Sequence, residues 1–464
     1  MTTTAAGHDA RPAHRSAEQI GTTPAGPRPL PPLGTRRTAR VPSTVDTVLE
    51  NGLRVIAVRR PAVPMVELRL AVPFGGTHRT HAARAEVLSA TLLRGTARRD
   101  RFGIDTELAR VGGELSAGVD PEYLSVSGSA LASGLPVLLD VLADSLSDAA
   151  HRAGEVARER SRLVERIVMG RSQPRVIARE ALQRHRYGDH PATREMPAAD
   201  DVAAVTPAAV RALHRRAVVP GGSVLVLVGD ITPARVVETV AAALSGWRSD
   251  RVATEVAPLP DVAGGDLALV HRDGAVQSQL RLSGQALPRT DERYPALQLA
   301  NLVFGGYFSS RWVENIREDK GYTYGAHSGF EFTPHGATLL ADADTASEVT
   351  AAALLETRYE LGRMAVVPPD ESEVDNARQY STGSLTIGTS SQAGLAGHLT
   401  ALAMVGLDVD WLRAHPARLR KVTTEQVAEA AAQFLAPTRF TGVVVGDAER
   451  LAGPLSALGG VAVP

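Results

Sequence analysis

Residues 205–229 and 422–446 carry the same pattern at a constant offset of 217 positions, without a gap. In the first copy Val205-Thr206 opens a helical pattern that ends near Pro220. The apolar run Val224-Leu225-Val226-Leu227-Val228 and Gly229-Asp230 come next. In the second copy Val422-Thr423 opens a helix that ends near Pro437, followed by Gly442-Val443-Val444-Val445 and Gly446-Asp447. Elsewhere the offset drifts. Glu67-Leu68-Arg69-Leu70 resembles Gln279-Leu280-Arg281-Leu282 at an offset of 212, as changed loop lengths require. A repeat on this scale makes the chain a tandem duplication.

Local patterns say what each copy builds. Around Asn51-Gly52, residues 47–58 read as two strands, because Asn-Gly suits the positive φ angles of a tight hairpin. Residues 65–72 and 123–130 alternate apolar and polar, as half-buried strands do. Residues 82–94, 104–111, 135–146 and 154–169 read as helices. Strands and helices mixed in one unit predict an α+β fold of two homologous α/β sandwich halves. Each half carries a mostly antiparallel sheet with helices packed on it. The expected domains are a Pro/Gly/Arg-rich tail without structure over 1–45, one half over 46–254, a Pro-rich acidic linker over 255–265 and a second half over 266–464.

Composition removes several function classes. The chain has no cysteine, so disulfides, thiol catalysis and cysteine metal sites are impossible. A formal net charge of −1 argues against nucleic acid or an anionic membrane as the main partner. No apolar run approaches the ~18 residues that span a bilayer, and the start lacks a signal-peptide core, so a cytoplasmic location is expected. The common phosphate-loop, dinucleotide, serine-elbow and His-Glu-x-x-His motifs are missing. His78 and His81, or His185 and His190, could form half of a metal site. Neither pair has a carboxylate at helical spacing, so both read as surface histidines.

Two segments carry a fuller pattern. One is Glu86-Val87-Leu88-Ser89-Ala90-Thr91-Leu92-Leu93-Arg94-Gly95-Thr96. The other runs from Gly305-Gly306-Tyr307-Phe308 through Arg317 to Tyr322-Thr323-Tyr324-Gly325. With the duplication and the Gly-Asp ends, they resemble the pitrilysin/insulinase-like zinc peptidases, in the bacterial branch similar to mitochondrial processing peptidase. The resemblance covers about residues 46–455. It implies an inverted zinc motif, His-x-x-Glu-His, just before the Leu-x-(Lys/Arg)-Gly-Thr ending. Two histidines one turn apart would hold zinc, the glutamate between them would activate water, and a distal glutamate would complete the site. Anchored on Leu93-Arg94-Gly95-Thr96, the histidine positions fall at Glu86 and Ala90, the base at Ser89 and the distal ligand at Arg166. All four are replaced. Alanine offers no donor, and Arg166 puts a permanent positive charge where a carboxylate would stand.

The second segment matches without loss. In the sequence, Gly305-Gly306 reads as a turn and Ser309 as the cap of a helix with Trp312, Val313 and Ile316 on its apolar face. Gly321 ends that helix and Tyr324 lies in a new strand. On spacing alone, Arg317 pairs with Glu314 or Glu318 on a surface, or acts together with Tyr324. The resemblance implies the second: an Arg/Tyr pair that contacts a substrate backbone and a developing oxyanion. Gly305, Gly306 and Phe308 would then border an extended peptide added at a sheet edge.

The resemblance therefore implies half of a clamshell. This chain would be the non-catalytic, substrate-binding or regulatory subunit of a heterodimeric zinc endopeptidase, inactive alone and without a metal of its own. Zn²⁺ would sit in a homologous catalytic partner with an intact inverted motif. The substrate would be a peptide, with leader peptides one candidate class. The alternatives are an inert scaffold or binding protein of the same fold, and a self-sufficient peptidase with an unrecognised metal site.

Overall fold

A computed structural model describes residues 42–334 and 336–463, together with two short antiparallel strands, Thr22–Thr23 and Gly26–Pro27. The expectation of an unstructured tail over 1–45 falls almost wholly outside the described residues.

Two six-stranded mixed sheets form the framework. The first has the order Thr44–Val48, Arg54–Arg59, Val224–Gly229, Met65–Pro73, Tyr123–Leu131, Glu114–Val119. The second has the order Thr323–Thr333, Gly336–Ala346, Gln277–Gln285, Phe440–Gly446, Leu267–His271, Val461–Ala462. Most neighbours are antiparallel. The parallel contacts join Arg54–Arg59 to Val224–Gly229 in one sheet and, in the other, Leu267–His271 to both its neighbours, Phe440–Gly446 and Val461–Ala462. A parallel neighbour needs a long crossover, and the helices between these strands supply it.

The repeated residues do repeated work. Thr206 and Thr423 cap their helices at the same place, accepting from Ala209 N and Gln426 N. Arg69 and Arg281 each donate to the carbonyl of the preceding leucine, at 2.7 and 2.8 Å. Gly229 and Gly446 close equivalent strands where a Cβ would sit 2.4 Å from Met65 O and 2.7 Å from Ser278 Oγ. The glycine of the Gly-Asp signature is thus a steric requirement of the fold.

Each sheet buries one face under its own helices and the other under a helix of the opposite half. Gln392–Ala403 lays Leu395, Leu399 and Leu402 on Ile56, Val58, Val226 and Val228. Pro174–Tyr187 lays Ala178 and Leu182 on Val443 and Val445. Strands buried on both faces read as unbroken apolar runs, which is why 224–229 and 440–446 do not alternate.

Candidate functional site

The helix His81–Leu92 carries the degenerate motif. Ser89 is buried and donates its hydroxyl to the Glu86 carbonyl at 3.0 Å, within its own helix. Burial pushes the Glu86 carboxyl above its ordinary range, and the positive charge of Arg166 pulls the other way. The first-ligand and distal-ligand positions thus hold a carboxyl and a guanidinium close enough to act on each other electrostatically, with no metal ion between them required. The donor set does not fit zinc: a methyl at Ala90, a hydroxyl committed to the backbone at Ser89 and a cation at Arg166. Among the described residues, no group of three or more His, Asp or Glu side chains is placed to hold a metal ion.

His81 departs from the expectation of a surface histidine. It is buried, and its Nε2 bonds the Phe74 carbonyl at 2.8 Å, so its pKa is lowered mainly by burial. A lone histidine on an amphipathic helix gives no sign of such a carbonyl in advance.

Nearby, burial and then the adjacent Asp120 raise the Glu122 carboxyl to about 7, and burial raises Asp120 as well. Both line a cavity of about 510 Å³ between the two halves, with Arg179, Arg186, Glu195 and Glu331. Arg179 pairs with Glu195 at 2.6 Å, and Arg186 with Glu331 at 2.9 Å. Sequence reasoning missed this chamber because its walls come from separate stretches scattered between residues 120 and 338.

The second segment forms an anchored arm. Residues Leu302–Gly306 and Glu314–Asp319 are π-helical turns, joined through the short helix Arg311–Val313. A π turn inserts an extra residue and re-aims the chain beyond it, and such turns cluster at functional sites. The arm is fixed by the buried Trp312, whose indole donates to Thr357 at 3.0 Å. Arg311 adds a two-pronged pair with Glu373 at 2.6 Å, and Asn315 donates to Glu356 and Glu360. The cap is Ser310 rather than Ser309, and its hydroxyl turns back to the Tyr307 carbonyl at 2.6 Å. Gly305 and Gly306 end the first π turn and are buried, not a free turn. A Cβ on Gly305 would sit 2.7 Å from the Trp312 ring, and one on Gly306 2.9 Å from Leu302 Cδ2. Packing alone therefore demands glycine there.

Arg317 leaves the second π turn toward the first residues of the edge strand Thr323–Thr333. Its Nε donates to the Tyr324 carbonyl at 2.9 Å and its Nη1 to Glu318 at 2.6 Å. The guanidinium carbon lies 4.1 Å from the Phe308 ring centre and 5.9 Å from that of Tyr324. Both rings are open, Phe308 at 60% and Tyr324 at 95% exposure. Arg317, Phe308 and Tyr324 thus share one exposed patch, with Glu318 as the partner that spacing allowed. Chemically it offers a fixed cation, a phenol and two aromatic faces beside a sheet edge.

Comparison with known proteins follows the same division. Residues 54–199 match the family model described as insulinase, peptidase family M16, and residues 204–380 match the one described as peptidase M16 inactive domain. An uncharacterized zinc protease of Streptomyces coelicolor is 29% identical over 291 residues, which span 61% of this chain and 63% of that protein, under two thirds of its length. An uncharacterized zinc protease of Mycobacterium bovis is 28% identical over 410 residues, 86% of this chain and 92% of that protein. Among solved structures, the peptidase M16 inactive domain from Pseudomonas fluorescens superposes with a TM-score of 0.78 at 23% identity, covering 87% of this chain and 98% of that one. A protease from Helicobacter pylori gives 0.77 at 17% identity, covering 88% and 100%.

Proposed function

This chain belongs to the insulinase-like peptidase family, with a degenerate zinc motif, and from that premise we propose that it is the non-catalytic, substrate-binding subunit of a heterodimeric zinc endopeptidase. In this reading a homologous catalytic chain supplies zinc and the general base. Arg317 and Tyr324 reach into the joint site, where guanidinium and phenol donate to the scissile carbonyl oxygen as negative charge develops on it. Gly305 and Gly306 shape the arm, and Phe308 packs against the peptide. The substrate is a peptide, leader peptides included, and the complex works in the cytoplasm. The observation that carries the reading is the exposed Arg317–Phe308–Tyr324 patch, anchored from below while the metal positions are lost.

The test is co-expression with a neighbouring chain that has an intact inverted zinc motif, followed by a peptide-cleavage assay. Loss of one oxyanion donor costs on the order of 100-fold in kcat, so Arg317→Ala should lower turnover of the pair by about that factor. Tyr324→Phe should also slow it, while metal content stays unchanged. A specific observation favours the inert-scaffold alternative: Nε and Nη1 of Arg317 are already satisfied inside the chain. That reading gains if Arg317→Ala leaves turnover of an active pair unchanged.

A further inference from the structure

A second feature lies near the other end of the motif helix. A groove of about 590 Å³ opens between the end of the helix Leu135–Asp148, the helix Pro207–Ala217 and the loop beyond Pro233–Ala243. Arg211, Arg215, Arg248 and Arg251 line it, against the single carboxylate of Asp148, and Trp247, Val218 and Leu146 form part of its walls.

Among the described residues, none of the four arginines makes an ion pair. Two are held by main-chain carbonyls instead: Arg211 Nη1 by His151 O at 3.1 Å and Arg248 Nε by Ser245 O at 2.7 Å. A carbonyl fixes a guanidinium without neutralising it, so the remaining N–H donors stay available and pre-aimed.

The duplication supplies an internal control. The equivalent helix, Thr424–Phe434, keeps the buried face, with Val427 for Val210 and Ala430 for Leu213, and the capping threonine as well. At the same offset of 217, Arg211 becomes Ala428 and Arg215 becomes Ala432. Both alanines lie on the outer side of that helix, where neither is buried. Basic residues in a last turn would complement a helix dipole, but the second copy forms its helix without them. The fold therefore does not call for these guanidiniums, and Arg248 and Arg251 converge on them from a separate element.

We propose that this groove is a binding site for a polyvalent anion, carried either on the side chains of an acidic peptide or on a phosphate chain. Guanidinium groups match carboxylate and phosphate oxygens in two-pronged geometry, and four on two elements suit a ligand with several charges in a row. The proposal stands independently of the peptidase reading.

The test is calorimetric titration of the full chain at low salt with inorganic triphosphate in one arm and a hexaglutamate peptide in the other. Binding in either arm identifies the source of the anion. The double variants Arg211→Ala/Arg215→Ala and Arg248→Ala/Arg251→Ala should each weaken it by at least about tenfold, while Arg420→Ala/Lys421→Ala, an exposed basic pair elsewhere, should not. In the unmodified chain the same titration should shift the NMR signals of the His214 ring and the Trp247 indole, which line the groove. No binding in either arm, equal loss in the control variant, or unmoved signals would overturn the proposal.

Discussion

Thr96 donates its hydroxyl to Asp144 at 2.5 Å, and Asp144 also accepts from Arg98 at 2.9 Å and Arg99 at 2.7 Å. Thr96 ends the motif remnant, so its retention has a structural cause where the metal positions have none. Gly95 is retained for a related reason: at φ +131° a Cβ would sit 2.2 Å from Arg152 Nη1, and Arg152 Nη2 donates to the Thr96 carbonyl. Asp144 is nearly inaccessible and Arg99 mostly so, which makes theirs a buried pair. Breaking such a pair by removing one partner costs about 3–5 kcal/mol, and Asp144→Ala should destabilise by that order in urea denaturation at pH 7. Burial pushes the Asp144 carboxyl up, but the hydrogen bonds from Thr96, Arg99 and Arg98 outweigh it and hold it below its ordinary value. A carboxylate so held stabilises the fold above its unfolded pKa and loses that contribution as pH falls through the folded one. The gap between wild type and Asp144→Ala should therefore narrow below about pH 4.

At the scale of elements, a buried relay ties three helices together. The Thr91 hydroxyl lies 2.8 Å from His151 Nδ1, His151 Nε2 lies 2.8 Å from His214 Nδ1, and His214 Nε2 lies 2.8 Å from the Leu146 carbonyl. With both rings neutral, His214 donates to the carbonyl and His151 donates to His214. The one proton of the Thr91 hydroxyl is then shared between His151 Nδ1 and the Val87 carbonyl, which lies 2.7 Å from the same oxygen. Burial holds His151 down to about 3 and lowers His214 as well. Both rings stay neutral in the folded state at pH values where the unfolded chain protonates them. Stability is then complete above about pH 6.5 and falls below it by about 1.4 kcal/mol per pH unit for each histidine, down to the folded pKa. His151 sits at φ +40°, which asparagine tolerates better than most residues, so His151→Asn is the suitable variant. It should lower stability at pH 7 and make the decline from pH 6.5 to 4 visibly shallower in thermal unfolding; an unchanged slope would place the acid sensitivity elsewhere.

The relay also marks where sequence stops being informative. Its members are 60 and 63 positions apart, and no periodicity links them. The repeat was legible because two copies of one helix–strand unit obey the same capping and steric demands at Thr206, Thr423, Gly229 and Gly446. Arg317 and Tyr324 were named as a pair through the family resemblance; spacing alone left a surface pair with Glu318 equally open, and the side chain makes both contacts. The π turns that aim Arg317 and bury Gly305 were not legible, because a π turn adds one residue to a helical period without changing residue type.

At the scale of the whole molecule, each half completes the other. The helix Gln392–Ala403 covers a sheet face of Ile56, Val58, Val226 and Val228, and Pro174–Tyr187 covers Val443 and Val445 in return. Arg186, with 1% of its side chain exposed, reinforces the second contact through Ser283, Thr338 and Glu331 of the opposite half. Leu399 is 1% exposed within the first contact. Truncating such a leucine costs about 2–5 kcal/mol, so Leu399→Ala should lower the stability of the chain as one cooperative unit, not of one half alone. The exchange itself permits a stronger test. Expressed alone, residues 46–254 would bare Ile56, Val58, Val224, Val226 and Val228 on one sheet face, and residues 266–464 would bare Val443 and Val445 beside the unpaired helix Gln392–Ala403. Contiguous apolar surface of that kind drives association, so each fragment alone should elute as aggregate on size exclusion. Co-expressed, the two should recover a one-to-one complex with a single unfolding transition, because each again supplies the helix that the other lacks. A soluble monomeric fragment with its own sharp transition would show that the exchanged helices are accessory and that either half folds by itself.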